Sequence, residues 1–455
     1  MNIGRLQLRR FDDPCKPIGG HARSNVQGLL CAILCSMGCG CGGGGGDNDG
    51  DGIPCANPWY NNSCNPVPQP TTATLLGVTN AASGTIDMLT IDTKTGVPTP
   101  IASDPLPDGP TASAVAIDPY KQFLYVSSTS GEVRGYVIVP SNLTLMPVYG
   151  NPFATNAPSA AIAIDPGGGF VLTANGSANT LSAFDIEGQA QSACGPCLIP
   201  YGTLANPSTE SAGADPSAIV VTNQYVYAAN TVGRSVSVYN FVPSAGAEGG
   251  PGSATLTPVV GSPFPTAGSP NGLVLDPTGT HVYTTESQLN EVSGFSIDAS
   301  NGSLTPIAGS PFAASYSIRS PVIVPQGQRL CAANGTDVDC FLVDSSTGAL
   351  TEIGLSYTNG HAIALALDGP DNFLYALDNV DNQVEVFSID PTDGSLTLIT
   401  GSPFALLPGA SRILDQTRSP YSTEHSPVLD RRLPSQLSTI HRHDALAVAL
   451  PAMRL

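Results

Sequence analysis

Asp47, Asp49 and Asp51 alternate along the segment Asp47-Asn48-Asp49-Gly50-Asp51-Gly52-Ile53-Pro54-Cys55. Hard cations such as calcium take several oxygen ligands, and this spacing supplies three carboxylates beside a glycine that permits a sharp turn. The closing Glu of a twelve-residue calcium loop is missing, because Pro58 stands in its place, so a solvated acidic linker is the competing reading. Cys194-Gly195-Pro196-Cys197 has the spacing of a redox pair, but it lies in a loop insertion without a βαβ context and is read as a structural disulfide. Cys55 with Cys64 and Cys331 with Cys340 form two further local pairs. The second pair flanks a predicted turn, so its sulfurs are expected to face each other across a hairpin. One CxxC alone does not call for zinc. A nucleophile elbow, an HExxH helix and a phosphate-cradling glycine loop are all absent from the sequence.

The elements that must position any chemistry are repeats, with a period of roughly 43–57 residues. An apolar strand runs into Asp-Pro or a variant, as in AVAIDP (114–119), AIAIDP (161–166), GLVLDP (272–277) and ALALDG (364–369). A turn and a second strand follow, such as FLYVSS (123–128) and HVYTTE (281–286), then a third such as VEVFSID (384–390). The fourth leads into a signature, LTPVVGSPF (256–264), LTPIAGSPF (304–312) or LTLITGSPF (396–404), with GNPF (150–153) as a variant. Short β-branched and aromatic runs punctuated by Gly, Pro and Asp predict antiparallel hairpins. Four strands per unit make a propeller blade. Second strands beginning near residues 75, 123, 170, 225, 281, 329 and 373 predict seven blades. The first unit lacks an inner strand, so the C-terminus is expected to supply it.

Only 12% of the 455 residues are charged, and the net charge is −19. Between Thr74 and Ser411 stand 27 Asp and Glu against six cations, Lys94, Lys121, Arg134, Arg234, Arg319 and Arg329. Such a surface repels phosphate, which excludes nucleic acid as an expected partner.

The first 38 residues read as an export signal. Arg5, Arg9, Arg10 and Arg23 precede an apolar stretch from Val26 to Met37, too short for an ordinary membrane span. The stretch ends in Ser36-Met37-Gly38-Cys39, which resembles a bacterial lipobox and implies lipidation of Cys39, with Cys41 as a second candidate. Residues 39–72 form a glycine-rich and acidic tether, and its DNDGDG core resembles extracellular calcium motifs of the excalibur and thrombospondin type 3 kind. The expected location is the periplasm or cell surface, with membrane contact through the lipid alone.

The blade motifs, the DPxGxxxY turns and the GSPF segments resemble the lactonase-type seven-bladed propellers, which include 6-phosphogluconolactonases. The resemblance covers roughly residues 74–411 and implies an all-β propeller over 73–411. Catalytic members carry a Gly-Pro-Arg-His motif entering an inner strand and a Glu at the end of the next strand. The best match is SPNGLVLDPTGTHVYTTE in the fifth blade, where Pro270 survives and Glu286 matches the Glu. Asn271 and Gly272 stand where Arg and His belong, and His281 and His361 take neither place. The expectation is a monomeric binding module for a protein or carbohydrate, with no cofactor beyond the calcium of the tether. The alternative is a lactone hydrolase in which Glu286 directs water.

Residues 412–455 change character, with no Gly, six Arg and three His. This tail is read either as a basic extension or as a shifted reading frame. ALAVALP (445–451) resembles the inner strand ALALDGP and is the candidate for closing the ring, while His441 and His443 are read as tail residues rather than metal ligands.

Overall fold

Apolar first strands between Asp-Pro turns and polar hairpins build a ring of seven antiparallel sheets. The computed structural model describes residues 74–413 apart from short stretches, the longest being 187–203 and 245–251. Inner strands are Ala112–Ile117, Ala161–Ile164, Pro216–Val221, Pro270–Leu275, Arg319–Val324 and Ala362–Leu367 in blades two to seven. Second strands begin at residues 74, 123, 170, 225, 281, 329 and 373, within one residue of expectation.

Blade one takes its inner strand from the far end of the described chain, as expected. The segment is Ala410–Ile413, which pairs antiparallel with Thr74–Asn80 through Val78↔Ile413, Thr79↔Arg412 and Asn80↔Ala410. The closing strand therefore runs two residues past the boundary drawn at 411, directly after the last blade. The other candidate, 445–451, lies outside the described residues, as do the tether, Cys39, Asp47, Asp49, Asp51, and the pairs Cys55/Cys64 and Cys194/Cys197. Cys331 and Cys340 sit directly opposite each other on adjacent strands of blade six and are bonded. Among the described residues no helix is long and apolar enough to cross a membrane.

Burial is concentrated between blades. Each of seven apolar clusters draws its side chains from two adjacent blades, so every seam has its own core. Three repeated polar devices hold the blades in register. The Asp of the Asp-Pro turn accepts the backbone N–H groups that open the second strand: Asp276 Oδ1 takes Thr280 and His281, both at 2.7 Å. Asp118, Asp165 and Asp368 repeat this, and Thr222 does so in blade four with its hydroxyl.

The GSPF signature is a fastener. Its Ser accepts a backbone N–H of the third strand, Val238 to Ser262, Gly294 to Ser310 and Val386 to Ser402, at 2.9–3.0 Å. The following Pro is cis in each case, and the Phe pairs back onto the start of the same third strand. Asn151 does the work of the Ser in the GNPF variant, bonding both N–H and C=O of Gly135.

The third device crosses seams. Tyr283 donates its hydroxyl to Gly348 O in the next blade at 2.8 Å, and Tyr375 donates to Gly96 O at 3.1 Å. Both receiving glycines have positive φ and lie against the first ring of the preceding blade's second strand, Gly348 on His281 and Gly96 on Phe373, and Gly302 packs on Tyr225 in the same way. His281 is thus a packing residue. Its Nδ1 lies 3.0 Å from Thr280 Oγ1 and 3.5 Å from Asp276 Oδ2.

On the third strand of blade six, Asp339 is fully buried beside Glu352, which accepts the N–H and hydroxyl of Ser315. Burial, with the Glu352 carboxylate second, pushes Asp339 up to about 7.

Two outcomes follow from this packing. Gly348→Ala and Gly354→Ala both place a side chain at positive φ, at about 1 kcal/mol each. Only at Gly348 would the new Cβ meet a ring, His281 at 2.5 Å, while Gly354 has open space. Denaturant titration should show Gly348→Ala less stable by a further 1–3 kcal/mol or so. For Asp339, the folded carboxyl titrates above the unfolded value of about 3.9. The folded state therefore holds a proton that the unfolded chain has lost between those values, and stability should fall as pH rises from about 4 to about 7. Asp339→Asn should flatten that slope and be the more stable protein at pH 8, read from unfolding midpoints across pH.

Candidate functional site

Second strands run upward to the loops that carry the chain between blades, and a polar residue ends or follows most of them. Asn80, Ser128, Asn175, Asn230, Glu286 and Asp378 are all buried at this place. Their side chains hold neighbouring loops and strands. Asn175 accepts the Ser159 hydroxyl from the incoming loop and donates to Ser182, and Asn230 donates to Ser235 and Ser237.

Glu286 belongs to this series. It is 0% exposed, and its Oε1 accepts the Thr284 hydroxyl at 2.8 Å. Its Oε2 faces Gly268 in the loop from blade four, where a Cβ would lie 3.3 Å away. Burial raises the Glu286 carboxyl, and the Thr284 hydroxyl offsets part of that shift. The protonated form favoured by burial is neutral, like the amides that occupy the same place in blades one, three and four.

The residues standing for Arg and His in blade five are equally committed. Asn271 donates from Nδ2 to Ile318 O of the chain entering blade six at 3.4 Å and accepts the Thr285 hydroxyl on Oδ1 at 2.7 Å. Ser217 and Thr231 stitch blade four to blade five in the same manner, both donating to Pro270 O. Gly272 packs against the inner strand of blade six, where an added Cβ would overlap Pro321 and lie 2.7 Å from Thr285 Oγ1. No side chain fits there, so a proton-handling imidazole has no room.

One cation escaped the sequence reading. Leu275 opposes Val282, and Ile323 opposes Leu330, each the second residue of its second strand. Along the chain Arg319 stands four residues before Ile323 as Asn271 stands four before Leu275, but a bulge between Arg319 and Val322 sets Arg319 opposite Ala333, as Gly272 stands opposite Thr285 in blade five. Arg319 is exposed at the upper end of its strand. The signal was present, since Ile318-Arg319-Ser320 precedes the inner strand PVIV as Pro270-Asn271-Gly272 precedes LVL. The missing Asp-Pro ending of that strand concealed the alignment. Blade six offers Asn334 after its second strand, so Arg and Glu sit on adjacent blades rather than together.

Comparison with known proteins sets this geometry among its relatives. The family model described as Lactonase, 7-bladed beta-propeller matches residues 72–195 and 203–406. Among solved structures, a putative 6-phosphogluconolactonase from Bacteroides fragilis is 19% identical with a TM-score of 0.63, covering 75% of this chain and 98% of its own. Its counterpart from Bacteroides uniformis is 19% identical with a TM-score of 0.61, covering 75% and 99%. A periplasmic gluconolactonase from Pseudomonas aeruginosa is 18% identical with a TM-score of 0.59, covering 75% and 98%. A search of curated proteins finds no match. The chain belongs to the lactonase family of seven-bladed β-propellers.

Proposed function

We propose that this propeller is a binding module, exported by its leading segment and lipid-anchored through Cys39. Its ligand, a protein or carbohydrate, meets the loops of one face or the channel mouth. The observation that carries the non-catalytic reading is the closure of the fifth-blade position. A general acid or base must come within hydrogen-bond reach of substrate. Glu286 is 0% exposed, Asn271 is bonded to Ile318 and Thr285, and Gly272 is capped by Pro321. An acidic surface also discourages a phosphorylated lactone.

Lactone opening is the second reading, and one observation favours it. Arg319 is an exposed cation at the start of the inner strand of blade six, one blade away from Glu286.

Both readings meet in one assay. The full chain, checked for folding by circular dichroism, is given a panel of neutral and phosphorylated lactones beside Glu286→Gln and Arg319→Ala. Hydrolysis should stay at the buffer rate for all three proteins. Turnover in the parent that disappears in Glu286→Gln would establish the hydrolase and sink the binding-only reading.

A further inference from the structure

Blade seven places an unusual set of side chains on the loops of the upper face. His361 comes from the loop entering the inner strand, Asp378 from the end of the second strand, and Asp381 from the turn after it. One ligand atom from each of these three side chains lies within 4.8 Å of the others. We propose that His361, Asp378 and Asp381 bind a first-row divalent cation, of which zinc is the representative.

The donor set decides the class of ion. Calcium takes oxygen ligands, whereas one imidazole nitrogen with two carboxylates suits zinc and its neighbours. Three protein donors leave at least one coordination position to water or to an oxygen of a ligand, and exposure of His361 and Asp381 opens that position to solvent.

The site is held on one side and adjustable on the other. Asp378 is 2% exposed, and its Oδ1 accepts the N–H groups of Val380 and Asp381 at 2.8 and 3.0 Å. Gln383 Nε2 donates to its Oδ2 at 3.2 Å. These bonds fix the orientation of the carboxylate. Metal ligands are commonly fixed by such outer bonds. His361 and Asp381 are exposed and have the rotamer freedom to close the remaining distance.

The fold does not require this set. In blade four the same three places hold Asp215, Asn230 and Gly233, and in blade five Ser269, Glu286 and Leu289. Among the described residues, His361 is the one imidazole in a loop of this face. Blades four and five close without it, so the set is not explained by the needs of the loop. The inference stands apart from the choice between binding module and hydrolase.

The test is calorimetric titration of zinc chloride into the full chain and into His361→Ala and Asp381→Ala. Both replaced side chains are exposed, and thermal melts confirm that the variants keep the parent fold. Cysteines and tail histidines elsewhere are untouched in the variants, so any zinc they take is common to all three proteins. The parent should bind one zinc that each variant loses or holds at least about 100-fold more weakly, since even outer bonds to a ligand are worth about 10–100-fold. Calcium in excess should not displace it. Equal isotherms for the parent and either variant, or no zinc binding by the parent, would overturn the proposal.

Discussion

Closure of the ring is the constraint on which everything else rests. Each blade buries one face against its predecessor and the other against its successor, so an open ring would expose two apolar faces and an unpaired strand edge. Three register pairs between Ala410–Ile413 and Thr74–Asn80 complete the first blade, and Ala410 joins the apolar cluster between blades seven and one. This pairing joins the two ends of the described chain. The seams are then tightened by Tyr283 and Tyr375, whose hydroxyls reach carbonyls of the next blade.

A closed ring buries the polar residues that end its second strands. Buried donors and acceptors must be satisfied, and each lost partner costs about 1–3 kcal/mol. The residues that would serve chemistry in blade five lie where seams must be stitched. Asn271 spends both ends of its amide on the next blade and on its own second strand. Pro321 occupies the space a side chain at position 272 would need. In the fifth blade these positions are occupied by packing contacts.

Periodic features were legible in the sequence. Second strands at 225 and 281 follow directly from the apolar runs YVYAAN (225–230) and HVYTTE (281–286), each preceded by the Thr or Asp that caps its turn, three residues before the strand in blade four and five in blade five. The GSPF signature was visible as a pattern, but its mechanism needs the third strand beside it, sixteen residues away for Ser310 and Gly294. Cys331 and Cys340 were legible because their hairpin is local. Glu286 was found by motif, yet its burial depends on Gly268 from the incoming loop, which no spacing reveals. The stitch from Asn271 to Ile318 spans 47 residues and two blades, beyond any local pattern. The need for a closing strand from the C-terminal side is legible in the missing inner strand of the first unit, but which segment supplies it is not: similarity to ALALDGP points to 445–451, whereas direct continuation from blade seven brings Ala410–Ile413 to the edge.

Occupation of the fifth-blade position by packing is tested most directly by restoring the family residues together, Asn271→Arg with Gly272→His, and measuring the free energy of unfolding. The double variant should be destabilised by several kcal/mol, because one change breaks a stitch and the other drives a side chain into Pro321. A double variant as stable as the parent would contradict it, and would mean that the position had room for catalysis all along.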